Sequence, residues 1–100
     1  MKSIIQTDTD KCFNCRQAFG AEWHHIFGGW TGNRDKSEAD GLKIRLCKEC
    51  HEKTHSDPEE SGPLQEKWHR LGQTQWEATY GWQYEDPRQA FRERYGKSWL

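Results

Sequence analysis

Apolar positions are sparse along this chain, and their spacing changes from segment to segment. LKIRLC (42–47) alternates Leu42, Ile44 and Leu46 with Lys43 and Arg45, the two-residue period of a strand with one wet face. AEWHHIF (21–27) is short, aromatic and β-prone. Between them GGWTGNRDKSEADG (28–41) is rich in turn formers and is read as a loop. After Cys47 the pattern becomes that of a short helix, which has to stop by Asp57-Pro58 because the residue before a proline is pushed out of the helical region. Pro63 suits a first helical position, and Leu64, Trp68, Leu71, Trp76 and Tyr80 then lie near one stripe until Gly81 ends the run. In DPRQ, Asp86 offers an N-cap, Pro87 a first position and Gln89 a third, which opens a helix through Tyr95 to Gly96 with Phe91 and Tyr95 facing inward. Residues 1–10, polar apart from Ile4-Ile5, read as a loosely held arm. Strand, long loop, strand and helix followed by a helical pair predict a small α+β domain, with a core over 12–55 and a C-terminal helical extension over 62–100.

Composition adds a stability problem. One hundred residues suffice for a single small domain, yet only 32% are hydrophobic, valine is absent, and mean hydropathy is −1.23. Aliphatic burial alone looks insufficient. Six tryptophans, with the other aromatics, can bury much area each, and a structural metal is the usual second device at this size. The four cysteines supply it: Cys12/Cys15 and Cys47/Cys50 are two C-x-x-C pairs, a spacing that suits zinc thiolates better than a disulfide framework. No charged start followed by an apolar run appears, and no stretch is long enough to span a membrane, so a reduced cytoplasm is the expected location. Net charge is −1, which gives no global basic footprint. Any contact with nucleic acid has to be local, and Arg34, Arg45, Lys48 and Lys53, which flank the second cysteine pair, are the candidates for gripping phosphates.

The chemistry lies between the cysteine pairs. Residues 16–46 make that interval 31 positions long, against about 15–20 in a plain zinc ribbon. The insert carries His24-His25. Joining the two pairs on one ion forces this segment back toward the helix after Cys47. On that helix His51 and His55 are four apart, about 6 Å along the axis, so both imidazoles can reach one ion. A third ligand from His24 or His25 would complete a three-ligand set with open positions, as catalytic metal sites require. Adjacent residues on an extended segment point to opposite sides, so one of the two should bind metal while the other stays free as a base.

CFNC, HHIFGG and GLKIRLCKECHEKTH together resemble the HNH nuclease superfamily, in particular a phage-borne branch clamped by cysteines; the resemblance covers about residues 12–55. It implies a zinc-clamped ββα-metal core of hairpin plus helix. It implies His24, His51 and His55 as ligands of a catalytic divalent ion, His25 as general base, and a structural zinc on Cys12, Cys15, Cys47 and Cys50. The activity implied is hydrolysis of DNA phosphodiester bonds, by nicking or cutting, in a bacterial host cell. Many members carry an asparagine that orients the base; here Asp40-Gly41 stands near that place, so Asp40 is the expected orienting group, with a loop carbonyl as the alternative. Three imidazoles favour Zn²⁺, Mn²⁺, Ni²⁺ or Co²⁺ over Mg²⁺. A near-neutral chain with so small a footprint is expected to act as a homodimer or with a larger phage or recombination protein that presents the DNA.

Two other functions compete. HEKTH (51–55) satisfies the H-E-x-x-H pattern of zinc proteases, in which Glu52 would be the base and Glu66 or His69 a further ligand, but that reading leaves His24, His25 and both cysteine pairs unexplained. A non-catalytic zinc module that binds DNA or a protein partner would need only the cysteine site. His69, beside Trp68 in an amphipathic run, is expected to be structural.

Overall fold

The computed structural model describes residues 1–28 and 32–100. Strand β1 (Glu22–His25) pairs antiparallel with β2 (Lys43–Leu46), and helices α1 (Asn33–Asp40), α2 (Lys48–Ser56), α3 (Ser61–Tyr80) and α4 (Pro87–Tyr95) complete the α+β architecture. The register sets His24 opposite Ile44 and His25 opposite Lys43. Leu42, Ile44 and Leu46 are fully buried, as the alternation predicts. The opposite face of β2 is drier than expected. Lys43 is buried, its ammonium lies 4.7 Å from the Trp23 ring centroid, and Arg45 lies 5.0 Å from the same ring.

The N-terminal arm is pinned, contrary to the expectation of a loose segment. The Ser3 hydroxyl donates to the Lys43 carbonyl at 2.6 Å, the Ile4 amide donates to Gly41 at 2.9 Å, and the Arg45 amide donates to Gln6 Oε1 at 2.7 Å. The bonds to Lys43 and Arg45 satisfy backbone groups of β2 on the side that β1 does not cover, and the bond to Gly41 continues them to the end of α1.

The loop expected over 28–41 is also corrected. Residues 29–31 lie outside the described residues, and from Asn33 the chain is helical. Helix α1 has no apolar stripe, because only Ser37 and Asp40 are buried on it, so periodicity could not reveal it. Glycines bound it: Gly32 at φ 85° and Gly41 at φ 76° take left-handed conformations that start and stop the helix.

Helix α3 starts two residues before Pro63 and buries Trp68, Gly72, Gln73 and Trp76. A Cβ on Gly72 would stand 2.5 Å from the Ile26 side chain, so glycine is what lets α3 lie directly on the turn after β1. Helix α4 begins as the capping pattern predicts: Pro87 is its first residue and the Gln89 amide donates to Asp86 Oδ1 at 3.1 Å. Phe27, Trp76, Phe91, Tyr95 and Trp99 form one aromatic core with ring centroids 4.6 to 6.0 Å apart. Trp82 departs from the pattern, being 81% exposed. Among the described residues, no helix is long and apolar enough to cross a membrane.

Candidate metal centres

Two clusters of ligating side chains hang on α2. The first is sulfur. Cys12 and Cys15 sit on a tight turn closed by amide bonds from Arg16 to Cys12 and from Cys12 to Ala18, each 2.9 Å. Cys47 is the N-cap of α2, where its sulfur accepts the Cys50 amide at 3.4 Å, and Cys50 lies in the first turn. All four cysteines are free of disulfides, and their sulfurs lie within 4.8 Å of one another. Asn14 Nδ2 donates to Cys50 Sγ at 3.4 Å. Backbone amides of Ala18 and Gln17 hold the Cys15 thiol down to about 6, whereas burial pushes Cys50 up to about 12. Four sulfurs so close cannot all ionise without a cation among them, and a four-thiolate donor set fits a structural metal such as zinc.

The second cluster is imidazole. His24 from β1 and His51 and His55 from α2 bring one ring nitrogen each within 4.8 Å of the others. His51 Nε2 and His55 Nε2 are 3.1 Å apart, the separation expected of two nitrogens that each lie about 2.0–2.1 Å from one ion at a near-tetrahedral angle. His24 is buried, and burial followed by the neighbouring His55 and His51 lowers its pKa to about 3, which leaves a lone pair free at neutral pH. Burial and His51 also lower His55. Glu22 Oε1 accepts the Nδ1 proton of His51 at 2.9 Å, so Nε2 carries the lone pair that faces His55. The donor set therefore fits a divalent ion held by His24, His51 and His55.

Helix α2 is fixed so that these rings face β1. The cysteine turn holds its N-terminal end. On its buried side the Thr54 hydroxyl donates to the Cys50 carbonyl at 3.0 Å and accepts Trp68 Nε1 at 3.3 Å, while Gln65 Nε2 donates to the Thr54 carbonyl at 2.9 Å.

His25 stands outside the three-ring ligand cluster but borders the same cleft, and its side chain is only 10% exposed. Its partner is Glu38 on α1, with Nε2 to Oε1 at 2.9 Å. Hydrogen bonds from His25 and Lys43 lower the Glu38 pKa to about 2, so this carboxylate is an acceptor only at neutral pH. The proton of a neutral His25 therefore sits on Nε2, and Nδ1 keeps its lone pair. Asp40, the expected orienting group, does something else. Its carboxylate accepts Arg94 Nε at 2.6 Å and Nη2 at 2.7 Å, Trp76 Nε1 at 2.9 Å and Tyr95 Oη at 2.6 Å. It ties α1 to the C-terminal helices and leaves nothing for His25.

A cleft of about 310 Å³ opens beside the imidazoles, lined by His24, His25 and His55 together with Phe27, His69 and Trp99. The four basic candidates divide. Arg45 Nε donates to the Gly20 carbonyl at 2.7 Å, and Lys53 lies 3.7 Å from Glu49 and 3.8 Å from Glu60. Lys48 and Arg34 are exposed and form no ion pair among the described residues, and Lys48 borders a shallow groove with His51 and His55. Glu52 is an exposed residue of the same groove.

Sequence reasoning missed Glu22, Glu38 and the placing of His69 in the cleft wall. Glu22 carried a signal, since it is two positions from His24 on a strand and so shares its face. Glu38 carried none, because its helix was invisible. No protein-family model, curated protein or solved structure matches the chain.

Proposed function

We propose that this chain is a divalent-metal-dependent endonuclease of the HNH, ββα-metal kind that hydrolyses DNA phosphodiester bonds. The observation that carries this reading is the convergence of His24, His51 and His55 beside a fourth imidazole, His25, that is held by a carboxylate instead of a ligand position. A divalent cation on the three imidazoles would supply Lewis-acid stabilisation of charge building on the phosphoryl group and the departing 3′ oxygen. The chain's own residues do the rest. His25 takes a proton from the attacking water at Nδ1, and Glu38 fixes the tautomer and stabilises the imidazolium that results. Glu22 orients His51 through Nδ1. Lys48, in the groove with His51 and His55, is the cation best placed to meet a flanking phosphate, and the exposed Arg34 is a second candidate, while Arg45 and Lys53 are occupied within the fold. Nicking by one site, the bacterial cytoplasm of a phage-infected host, and a second copy or larger partner to present the DNA belong to the same proposal.

The test is metal analysis with plasmid nicking on the purified chain. We expect one tightly held zinc that survives mild chelation and a nicking activity that chelation removes and Mn²⁺, Ni²⁺, Co²⁺ or Zn²⁺ restores. His25→Ala should lower nicking by about 10²–10⁴-fold while keeping both the zinc and the DNA affinity. A chain that binds DNA but never cuts it, with every metal tried, is the non-catalytic zinc module instead.

A further inference from the structure

We propose that the cleft walled by Phe27, His69 and Trp99 is a subsite for one unpaired nucleotide of the strand being cut. This rests on the nuclease reading and adds to it the form of the substrate. The cleft is continuous with the imidazole cluster, because His24 and His55 line it, so its occupant lies against the reacting phosphate.

Its lining is flat and neutral. Phe27, 2% exposed, is the buried floor; the His69 ring stacks on it at 5.4 Å with 11° between their planes, and Trp99 lies 4.9 Å from the first and 4.8 Å from the second, so the half-buried His69 and Trp99 are the rings left to meet a base. Burial lowers the His69 pKa, which keeps its ring uncharged at neutral pH. Trp99 is held in place although it follows the last helix: its amide donates to Gln73 Oε1 at 2.7 Å, and the fully buried Gln73 donates from Nε2 to Ser98 Oγ at 2.9 Å. Gln65 and Asn33 use their amide nitrogens on the Thr54 and Tyr95 carbonyls, at 2.9 and 3.2 Å. Each keeps a carboxamide oxygen that can accept an N–H from a base edge.

No lysine, arginine or carboxylate is among the described residues that line the cleft. A phosphate finds no countercharge there, whereas a base finds stacking surfaces and acceptors. At about 310 Å³ the cleft is at the lower end for small-molecule sites and has room for one base with its sugar. The groove on the other side of the imidazoles carries Glu22 and Glu52 beside Lys48, a surface unsuited to a base.

The experiment uses the metal-loaded full chain and an end-labelled single strand with one abasic position. Cleavage at a bond next to that position should fall about tenfold relative to the other bonds of the same strand, the size of one lost base–aromatic stack. Trp99→Ala should flatten that dip and Trp99→Phe should keep it; because the comparison is internal to each strand, loss of folded protein does not alter it. If Trp99→Ala fails to fold, Gln65→Leu is read in the same way and should make the dip shallower. The same strand in a full duplex should be cut at least tenfold more slowly. Uniform cutting across the abasic position, or a duplex cut as fast as the single strand, overturns the subsite and leaves the nuclease standing. No cutting of any strand overturns both.

Discussion

The two clusters on α2 differ in almost every physical respect, although His51 directly follows Cys50 and His55 lies one turn further on. Three of the four cysteines are buried, and backbone amides of Gln17, Ala18 and Cys50 bond to sulfurs of their cluster. The imidazoles number three, one of them exposed at the surface, and they border an open cleft. A complete tetrahedral set leaves nothing for substrate, whereas a three-member set has room for it. The lesson is that one short helix can carry a closed donor set and an open one: its cysteines tie it to the turn at Cys12 and Cys15, and that tie fixes where His51 and His55 face.

The sharpest way to break this contrast is to damage each cluster in turn. Cys50→Ser should abolish metal binding at the sulfur cluster and with it the cooperative fold, read as loss of a sharp melting transition, because the binding free energy of a structural metal is folding free energy. A variant that still melted sharply without zinc would show that the aromatic core suffices. Acid should act on the other cluster. His24 is neutral in the fold, with its pKa lowered to about 3, while in the unfolded chain it takes a proton near 6.5. Its contribution to stability is therefore complete above about pH 6.5 and is lost as pH falls toward 3. Melting temperature of protein that holds only its cysteine-site ion should decline as pH falls below about 6.5, and His24→Gln should flatten that decline down to the pH at which the thiolates take up protons and release their ion. Smaller still, Glu22→Gln should weaken the second ion by about 10–100-fold in a competition titration, with the zinc unaffected. Equal loss at both sites would mean that the two clusters are not independent.

What the sequence revealed follows the same division. Cysteine pairs, strand alternation at Leu42, Ile44 and Leu46, and the cap at Asp86 are local patterns with local causes, and each is present where expected. The long interval between the cysteine pairs pointed to His24 or His25 as a partner for His51 and His55, the resemblance chose His24, and the structure brings that ring to the other two. Helix α1 was hidden because it has no apolar stripe: Ser37 and Asp40 anchor it through hydrogen bonds to Phe27, Leu42, Trp76, Arg94 and Tyr95, partners that only the folded chain supplies. With α1 hidden, Glu38 was lost as the partner of His25, and Asp40 was assigned its role. The arm at Ser3 to Gln6 was misread for a related reason, since polar side chains that serve a strand edge look in sequence like side chains that serve water.

Asp40 has a mechanical consequence. One carboxylate receives bonds from residues 36, 54 and 55 positions further along the chain, so the last two helices act as a buttress behind α1 and, through it, behind Glu38. Trimming the chain before Arg94 would loosen a hydrogen-bond acceptor that the missing piece never touches.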